Sequence, residues 1–328
     1  MKNVGPHESA PKISVIINNF NYAGFLQRAI DSALEQDYQN FEVVVVDDGS
    51  TDSSRELIRA YEGRIVAVTQ QNKGQAAAIN AGVKASSGEI LCFLDSDDWW
   101  LPQKLAMVAV AFDLNPRAAL VFHRLQPIAG DDRQAGKPIP RSLAPTNLVP
   151  YIVRSAGWWD FPMTSAVAVR RSMWEAAGNI PCHFRISADA WLVGVYPFLG
   201  PVIALPDTVG FYRLHADNNW SRPVDGAVLR QRVEHFRATV ASINEFLDEN
   251  EHPYRLQIEK HLPLQIALAK INGAGLWKRL RLASATLTFA GSHDFRKRFR
   301  DFIHEIRTLR APAGRGAALR GPLPPTCP

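Results

Sequence analysis

The chain has 328 residues, 46% of them hydrophobic and 21% charged, with a formal net charge of +5. That is the balance of a globular protein with ample core, in one large or two smaller domains. No apolar run reaches the ~20 residues that cross a bilayer, and the N-terminus MKNVGPHESAPK lacks the apolar centre of a secretory signal.

A cytoplasmic protein is the expectation from these features. Cys92, Cys182 and Cys327 are odd in number and show no metal-ligand spacing, so they read as reduced thiols. The charge is uneven: residues 221–328 hold 18 Lys and Arg against 10 Asp and Glu. Such a basic stretch suits a solvated helix face or an anionic membrane surface. No nucleic-acid partner is expected.

Residues 1–11 read as a flexible N-terminus. A β-branched run from Lys12 to Ile17 predicts the first strand. It is followed by an Asn-rich loop carrying Asn18, Asn19, Phe20 and Asn21, then by helical spacing through Phe25, Leu26, Ala29, Ile30, Ala33 and Leu34. Residues 41–46, FEVVVV, predict a second buried strand that ends in Asp47-Asp48-Gly49-Ser50. Ser50 or Asp52 is placed to cap the next helix, which turns Leu57, Ile58 and Tyr61 inward. Taken alone, the Asp47-Asp48 pair is an ordinary Asp/Gly/Ser turn. Residues 64–69 predict a third strand. Lys73-Gly74 then opens a helix, where an anion could sit against the backbone N–H groups, although neither GxGxxG nor a Walker A pattern is present.

Residues 90–94 form a continuous apolar run, as expected of a strand buried on both faces. Asp95, Asp97 and Asp98 follow it within four positions. Like charges so close repel unless a cation sits among them, and Mg²⁺ is usually held by one or two carboxylates plus substrate phosphates. Two readings stand side by side: a metal and diphosphate site, or a solvated acidic turn with Asp98 capping the helix at 102–114. A fifth strand is expected at 119–122. Alternating strands and helices over 120 residues imply a mostly parallel sheet covered on both faces. Three of its strands end in Asn or Asp, at the carboxyl edge where open α/β sheets bind ligands.

The runs SVIINNFNYAGFLQRAIDSALEQDYQNFEVVVVDDGSTD and NKGQAAAINAGVKASSGEILCFLDSDDWWLPQKL resemble glycosyltransferase family 2 over about residues 12–125. The resemblance implies a GT-A fold, an inverting transfer from a nucleoside diphosphate-sugar, and a divalent cofactor, Mn²⁺ or Mg²⁺. It implies that Asn18, Phe20 and Asp48 hold the base, that Asp95 meets the ribose and that Asp97 binds the metal. UDP is the nucleotide favoured, because it is common in the family. Ile79 departs from the pattern, since many members carry Arg there, and Lys73 is the candidate substitute on the diphosphate.

Residues 12–125 are thus the nucleotide-sugar half and 126–222 the acceptor half. In the second half, 126–146 read as a loop over the site. Trp158, Trp159 and Phe161 read either as a sugar platform or as a packed core corner. A strand is expected at 165–169. Asp189 stands before a helix, where alone it would be a first-turn acid. In the family an acid in this region is the catalytic base, often the second of a Glu-Asp pair, and here the pair reads Ala188-Asp189. Similar YR-x-H segments close the family's catalytic domain, so Arg213 is expected on phosphate and His215 on the metal or diphosphate. Residues 223–310 are expected to be helical, with Phe295, Phe299, Phe302, Ile303 and Ile306 forming the apolar face of a basic amphipathic helix. That helix either packs on the catalytic domain or lies peripherally at the inner face of the membrane, where lipid-linked acceptors are presented. The tail 311–328 is expected to be disordered. The expected function is sugar transfer to a sugar or lipid-linked acceptor in cell-surface polysaccharide or glycoconjugate synthesis. The rivals are a nucleotide-binding module that has lost activity and, less favoured, a nucleotidyltransferase.

Overall fold

A computed structural model describes residues 10–130, 132–215, 225–289 and 295–308. The disordered tail expected at 311–328, and nearly all of the flexible segment 1–11, lie outside those residues. The first half alternates β1 (Ile13–Asn19), α1 (Ala23–Leu34), β2 (Phe41–Asp47), α2 (Ser54–Arg59), β3 (Val66–Thr69), α3 (Gln75–Lys84) and β4 (Ile90–Asp95). Then come β5 (Trp99–Trp100), α4 (Lys104–Leu114), β6 (Leu120–Ile128), α5 (Val149–Ser155), β7 (Val167–Arg170) and α6 (Arg171–Ala177). The chain continues through α7 (Asp189–Leu199), β8 (Val202–Arg213), α8 (Gly226–Glu249), α9 (Leu262–Ile271), α10 (Leu276–Ala285) and α11 (Phe295–Thr308).

The eight strands join one sheet in the order β3-β2-β1-β4-β7-β6-β8-β5. β1, β2, β3 and β4 run parallel, as do β6 and β8, while β7 is antiparallel to both β4 and β6. The sheet is therefore mostly parallel and mixed around β7. Its central strands are apolar throughout because both faces are covered. Val15, Ile17, Val43, Val45 and Leu94 face α1 and α4. Ile16, Val44, Val46 and Phe93 face the other way, toward α3 and α7.

Several boundaries differ from the sequence reading. The fifth predicted strand does not stop at 122 but runs to Ile128, so the excursion over the site begins at 129. β8 is a 12-residue strand that the sequence reading did not mark, because its PDTVGFY run lacks clean alternation. β5 has two residues, too few for any period. The C-terminal region begins as part of the same body. Val233, Phe236, Val240, Ile243, Phe246 and Leu247 of α8 are buried, and a Cβ added at Gly194 on α7 would lie 2.5 Å from Ile243 Cδ1. Asp225 caps α8 by accepting from the Ala227 and Val228 N–H groups. Asp52, rather than Ser50, serves α2: its Oδ1 accepts from Ser54 N–H at 3.0 Å while Oδ2 accepts from Ala23 N–H at the start of α1.

Candidate active site

Parallel register sets Asn19 opposite Asp47 and Asn18 opposite Asp95, so the polar ends of β1, β2 and β4 lie level at the carboxyl edge. A cavity of about 680 Å³ opens there. Its wall holds four carboxylates, Asp48, Asp95, Asp97 and Asp189, together with Asn18 and Phe20. Six of the nine residues picked out from the sequence are thus brought onto one cavity, across 171 positions of chain.

Each acid has a distinct surrounding. Asp48 accepts three hydrogen bonds, from Gln70 Nε2 at 2.7 Å, Lys73 N at 2.9 Å and Gly74 N at 2.7 Å. It thereby shapes the 70–74 loop. A carboxylate offers about four lone-pair positions, so one remains. Gly49, at φ +81, lets this turn form, since a Cβ there would lie 2.7 Å from Asn72 N. Asp95 accepts from Asn18 Nδ2 at 3.1 Å and Gln75 Nε2 at 2.8 Å. Burial and then the charge of Asp97 push it up to about 6. Asp97 Oδ2 lies 2.9 Å from His215 Nε2, and the His215 ring is packed on Tyr22 and Phe25.

Asp98 is neither a helix cap nor a solvated turn residue. It is buried, accepting from Arg213 N at 3.0 Å and from the Ser165 hydroxyl at 2.6 Å. Burial, with Asp97 and Asp95 nearby, raises it well above the usual carboxylate range. It ties the turn after β4 to Ser165 and to the end of β8. Asp189 is 8% exposed and begins α7. The cap position itself is Ala188, which makes no side-chain bond. Burial, reinforced by the charge of Asp95, pushes Asp189 up to about 7.

The three remaining candidates are not on the cavity wall, and the side chains of two of them, Lys73 and Arg213, are turned away from it. Lys73 is exposed and reaches the site through its backbone N–H to Asp48, and its side chain is not part of the described cavity wall. The Arg213 guanidinium is turned aside: it lies over the Trp99 and Phe25 rings, its Nε donates to the Asp97 carbonyl at 3.1 Å, and Asp132 is 3.7 Å away. His215 stands behind Asp97. The aromatic cluster is core and not a platform. Trp159 is buried with its indole N–H on the Val193 carbonyl, and Trp158 packs on Phe236 and His261.

Three residues went unread in the sequence. Gln75 bridges the site, donating to Asp95 and accepting from Ala188 N–H at 2.9 Å. Ser165 accepts from Asp95 N–H and donates to Asp98. Arg185 is the one Lys or Arg among the described residues lining the cavity. It donates to Asn72 Oδ1 at 2.7 Å while its carbonyl accepts from Gln75 N at 2.9 Å. Its place four residues before Asp189 was the available signal.

The donor set fits a divalent cation. Asp95, Asp97 and Asp98 crowd together, and burial disfavours charge on two of them, so positive charge is what the edge lacks. The described residues hold no ready-made cage of three ligating side chains. An ion here would be held by Asp97 and His215, with donor oxygens and water for the rest, as suits Mn²⁺ or Mg²⁺.

A family model described as "Glycosyl transferase family 2" matches residues 14–172. An uncharacterized glycosyltransferase of Nostoc sp. is 36% identical over 261 residues, covering 76% of this chain and 80% of that protein. Other curated relatives match over less. GlyA of Streptococcus pneumoniae is 43% identical over 91 residues, 27% of this chain and 13% of its own length. An uncharacterized glycosyltransferase of Rickettsia typhi is 31% identical over 147 residues, 42% of this chain and 46% of its own. The chain thus spans less than half of these last two. Among solved structures, S. aureus TarS 1–349 in complex with UDP-GlcNAc superposes with a TM-score of 0.57 at 18% identity, over 91% of this chain and 90% of that one. Mannosyltransferase PcManGT from Pyrobaculum calidifontis, in complex with GDP-Man and Mn²⁺, does so at 0.51 and 20% identity, over 91% and 87%. At such identities the likeness is one of fold, the GT-A arrangement.

Proposed function

The chain belongs to glycosyltransferase family 2, and from that membership we propose an inverting enzyme that moves a sugar from a nucleoside diphosphate-sugar, UDP-sugar favoured, to an acceptor hydroxyl. The observation that carries the reading is Asp189, a buried carboxylate facing the same cavity as the strand-end acids of the nucleotide half. UDP-GlcNAc and GDP-Man in the two structural neighbours support a nucleotide-linked donor.

Phe20, 41% exposed at the cavity mouth, offers its face to the base. Asp48 has one acceptor position left for a base N–H. Asn18 and Asp95 meet the nucleoside end. Arg185, and neither Lys73 nor Arg213, is the cation on the wall, and we assign it to the diphosphate. Mn²⁺ or Mg²⁺ bound at Asp97 and His215 would supply charge against the departing diphosphate. Asp189 takes the proton of the acceptor hydroxyl as that oxygen attacks the anomeric carbon. The new carbon–oxygen bond forms in line as the carbon–phosphate-oxygen bond breaks, so the centre inverts and nucleoside diphosphate leaves. A base raised to about 7 is half ionised near neutrality and still basic enough to take the proton. The acceptor is a sugar or lipid-linked hydroxyl presented in the cytoplasm, within cell-surface polysaccharide or glycoconjugate synthesis.

The test is a thermal-shift screen of UDP, GDP, dTDP and CDP with and without Mn²⁺. A ligand at 100 times its dissociation constant stabilises by about 2.7 kcal/mol. The expected result is a metal-dependent shift with one nucleotide, UDP first. A folded protein that shifts with none of them overturns the reading.

A further inference from the structure

The described residues include nine exposed large hydrophobic side chains, and four of them fall on just two short helices: Leu276 and Trp277 on α10, Phe295 and Phe299 on α11. Trp277 is 84% exposed, Phe295 62%, Leu276 59% and Phe299 49%. Scattered single apolar residues are ordinary on a surface, but such a concentration marks an interaction face. The same two helices carry eight Lys and Arg against two acids, Asp301 and Glu305. Lys278, Arg281 and Arg300 are exposed beside the aromatics.

Other contacts fix which side of α11 is spoken for. Lys270 on α9 pairs with Glu305 at 2.8 Å, and Lys297 reaches Asp160 at 3.3 Å. The Thr286 hydroxyl, just after α10, donates to the Arg298 carbonyl at 3.5 Å. Phe302, Ile303 and Ile306 are half-buried. Phe295 and Phe299 stack on each other at 6.4 Å, one turn apart, and remain in solvent.

We propose that α10 and α11 are a peripheral docking surface for an anionic phospholipid bilayer. Trp and Phe bury their rings at the lipid–water boundary while Lys and Arg meet the headgroup charge. Charge decides the occupant. An identical face on a second copy would bring like charge against like. Residues 309–328, which follow α11, add Arg310, Arg315 and Arg320 and no acid, so they would repel the face and not cover it. No described helix is long and apolar enough to cross a membrane, so the contact is peripheral. The docking does not depend on nucleotide.

Co-sedimentation of the full chain with vesicles tests this. Phosphatidylcholine alone is compared with phosphatidylcholine containing roughly 30% phosphatidylglycerol. The protein is expected to pellet with the anionic vesicles only, and to be released at about 0.5 M salt. The combined variant Trp277→Ser, Phe295→Ser, Phe299→Ser should weaken binding at least about tenfold. Lys278→Gln, Arg281→Gln, Arg300→Gln together should lose the preference for anionic lipid. Both variants should keep the wild-type melting temperature and its nucleotide-induced shift, which shows that the fold is intact. Equal pelleting with both vesicle types, or wild-type binding by the aromatic variant, overturns the proposal. So does a dimer in sedimentation velocity that the aromatic variant disperses while no vesicle binds.

Discussion

Replacing Asp189 by Asn keeps the side-chain shape and removes its basicity, so it tests the assigned base with little structural disturbance. General-base catalysis contributes about 10²- to 10⁴-fold, which corresponds to roughly 3–5 kcal/mol of barrier. The kcat should fall by that factor while the affinity for nucleoside diphosphate stays within about twofold, since the acid acts on the acceptor. Stability should move the other way. The folded carboxyl titrates near 7 against 3.8 in the unfolded chain. Between those values the folded state keeps a proton that the unfolded state has lost, so stability is highest below 3.8 and declines as pH rises toward 7. Asn carries no such penalty, so at pH 8 the variant should be the more stable by up to about 4 kcal/mol, with the advantage vanishing toward pH 4. The activity of the wild type should climb with pH through about 7 and flatten above it. The assays are steady-state release of nucleoside diphosphate, nucleotide titration, and melting temperature across pH 4–8. An unchanged kcat removes Asp189 from the mechanism. A parallel loss of nucleotide affinity makes it a donor ligand instead, and no stability gain at pH 8 contradicts its burial.

Arg185→Ala should weaken UDP about tenfold or more and leave uridine unaffected, while Lys73→Ala changes neither; equal losses for UDP and uridine would put Arg185 on the base. Asp97→Asn should abolish the Mn²⁺-dependent part of the UDP thermal shift, whereas Asp98→Asn should keep it, because Asn can still accept from Arg213 N–H and donate to Ser165. Gly74→Ala should lower stability by roughly 2 kcal/mol or more and impair UDP binding, since φ is +93 there and the added Cβ would lie 2.6 Å from Arg185 Cα. Lys104→Met should raise the melting temperature by a few degrees, an effect of about 1–3 kcal/mol. Lys104 is fully buried with the Trp100 ring 3.5 Å from its Nζ, and burial lowers its pKa against a smaller opposing effect of the neighbouring Cys92. A lower melting temperature would show that the cation–π contact outweighs desolvation.

The nucleotide half was legible because period and position agreed there. VVVV at 43–46 and ILCFL at 90–94 are apolar without alternation and β-branched or bounded by turn residues, as suits strands covered on both faces, and Asn18, Asp48 and Asp95 each stand at the end of such a run. Parallel pairing then sets those ends level with no further information. The second half offered no such agreement. β7 is antiparallel in an otherwise parallel neighbourhood, and β8 has partly exposed, irregular residues. The Trp158-Trp159 pair is equally apolar whether it faces a sugar or a core, and what decided it was α8, which covers Trp158 with Phe236, 78 positions on.

The contacts that make the site a unit are long-range and made by neutral side chains, which carry no pattern in sequence. Gln75 joins Asp95, 20 positions on, to the Ala188 backbone, 113 positions on. Arg185 and Phe184 give their carbonyls to the first N–H groups of α3, so the segment leading to Asp189 rests directly on the loop that Asp48 shapes. The Asp48-shaped loop and the approach to Asp189 are held by the same run of hydrogen bonds, so a change in one is transmitted to the other. The arrangement also explains how Ala can stand at 188. That side chain is fully buried and the main chain does the work, its N–H donating to Gln75 and its carbonyl accepting from Trp191 N–H, so the position serves the site without an acid.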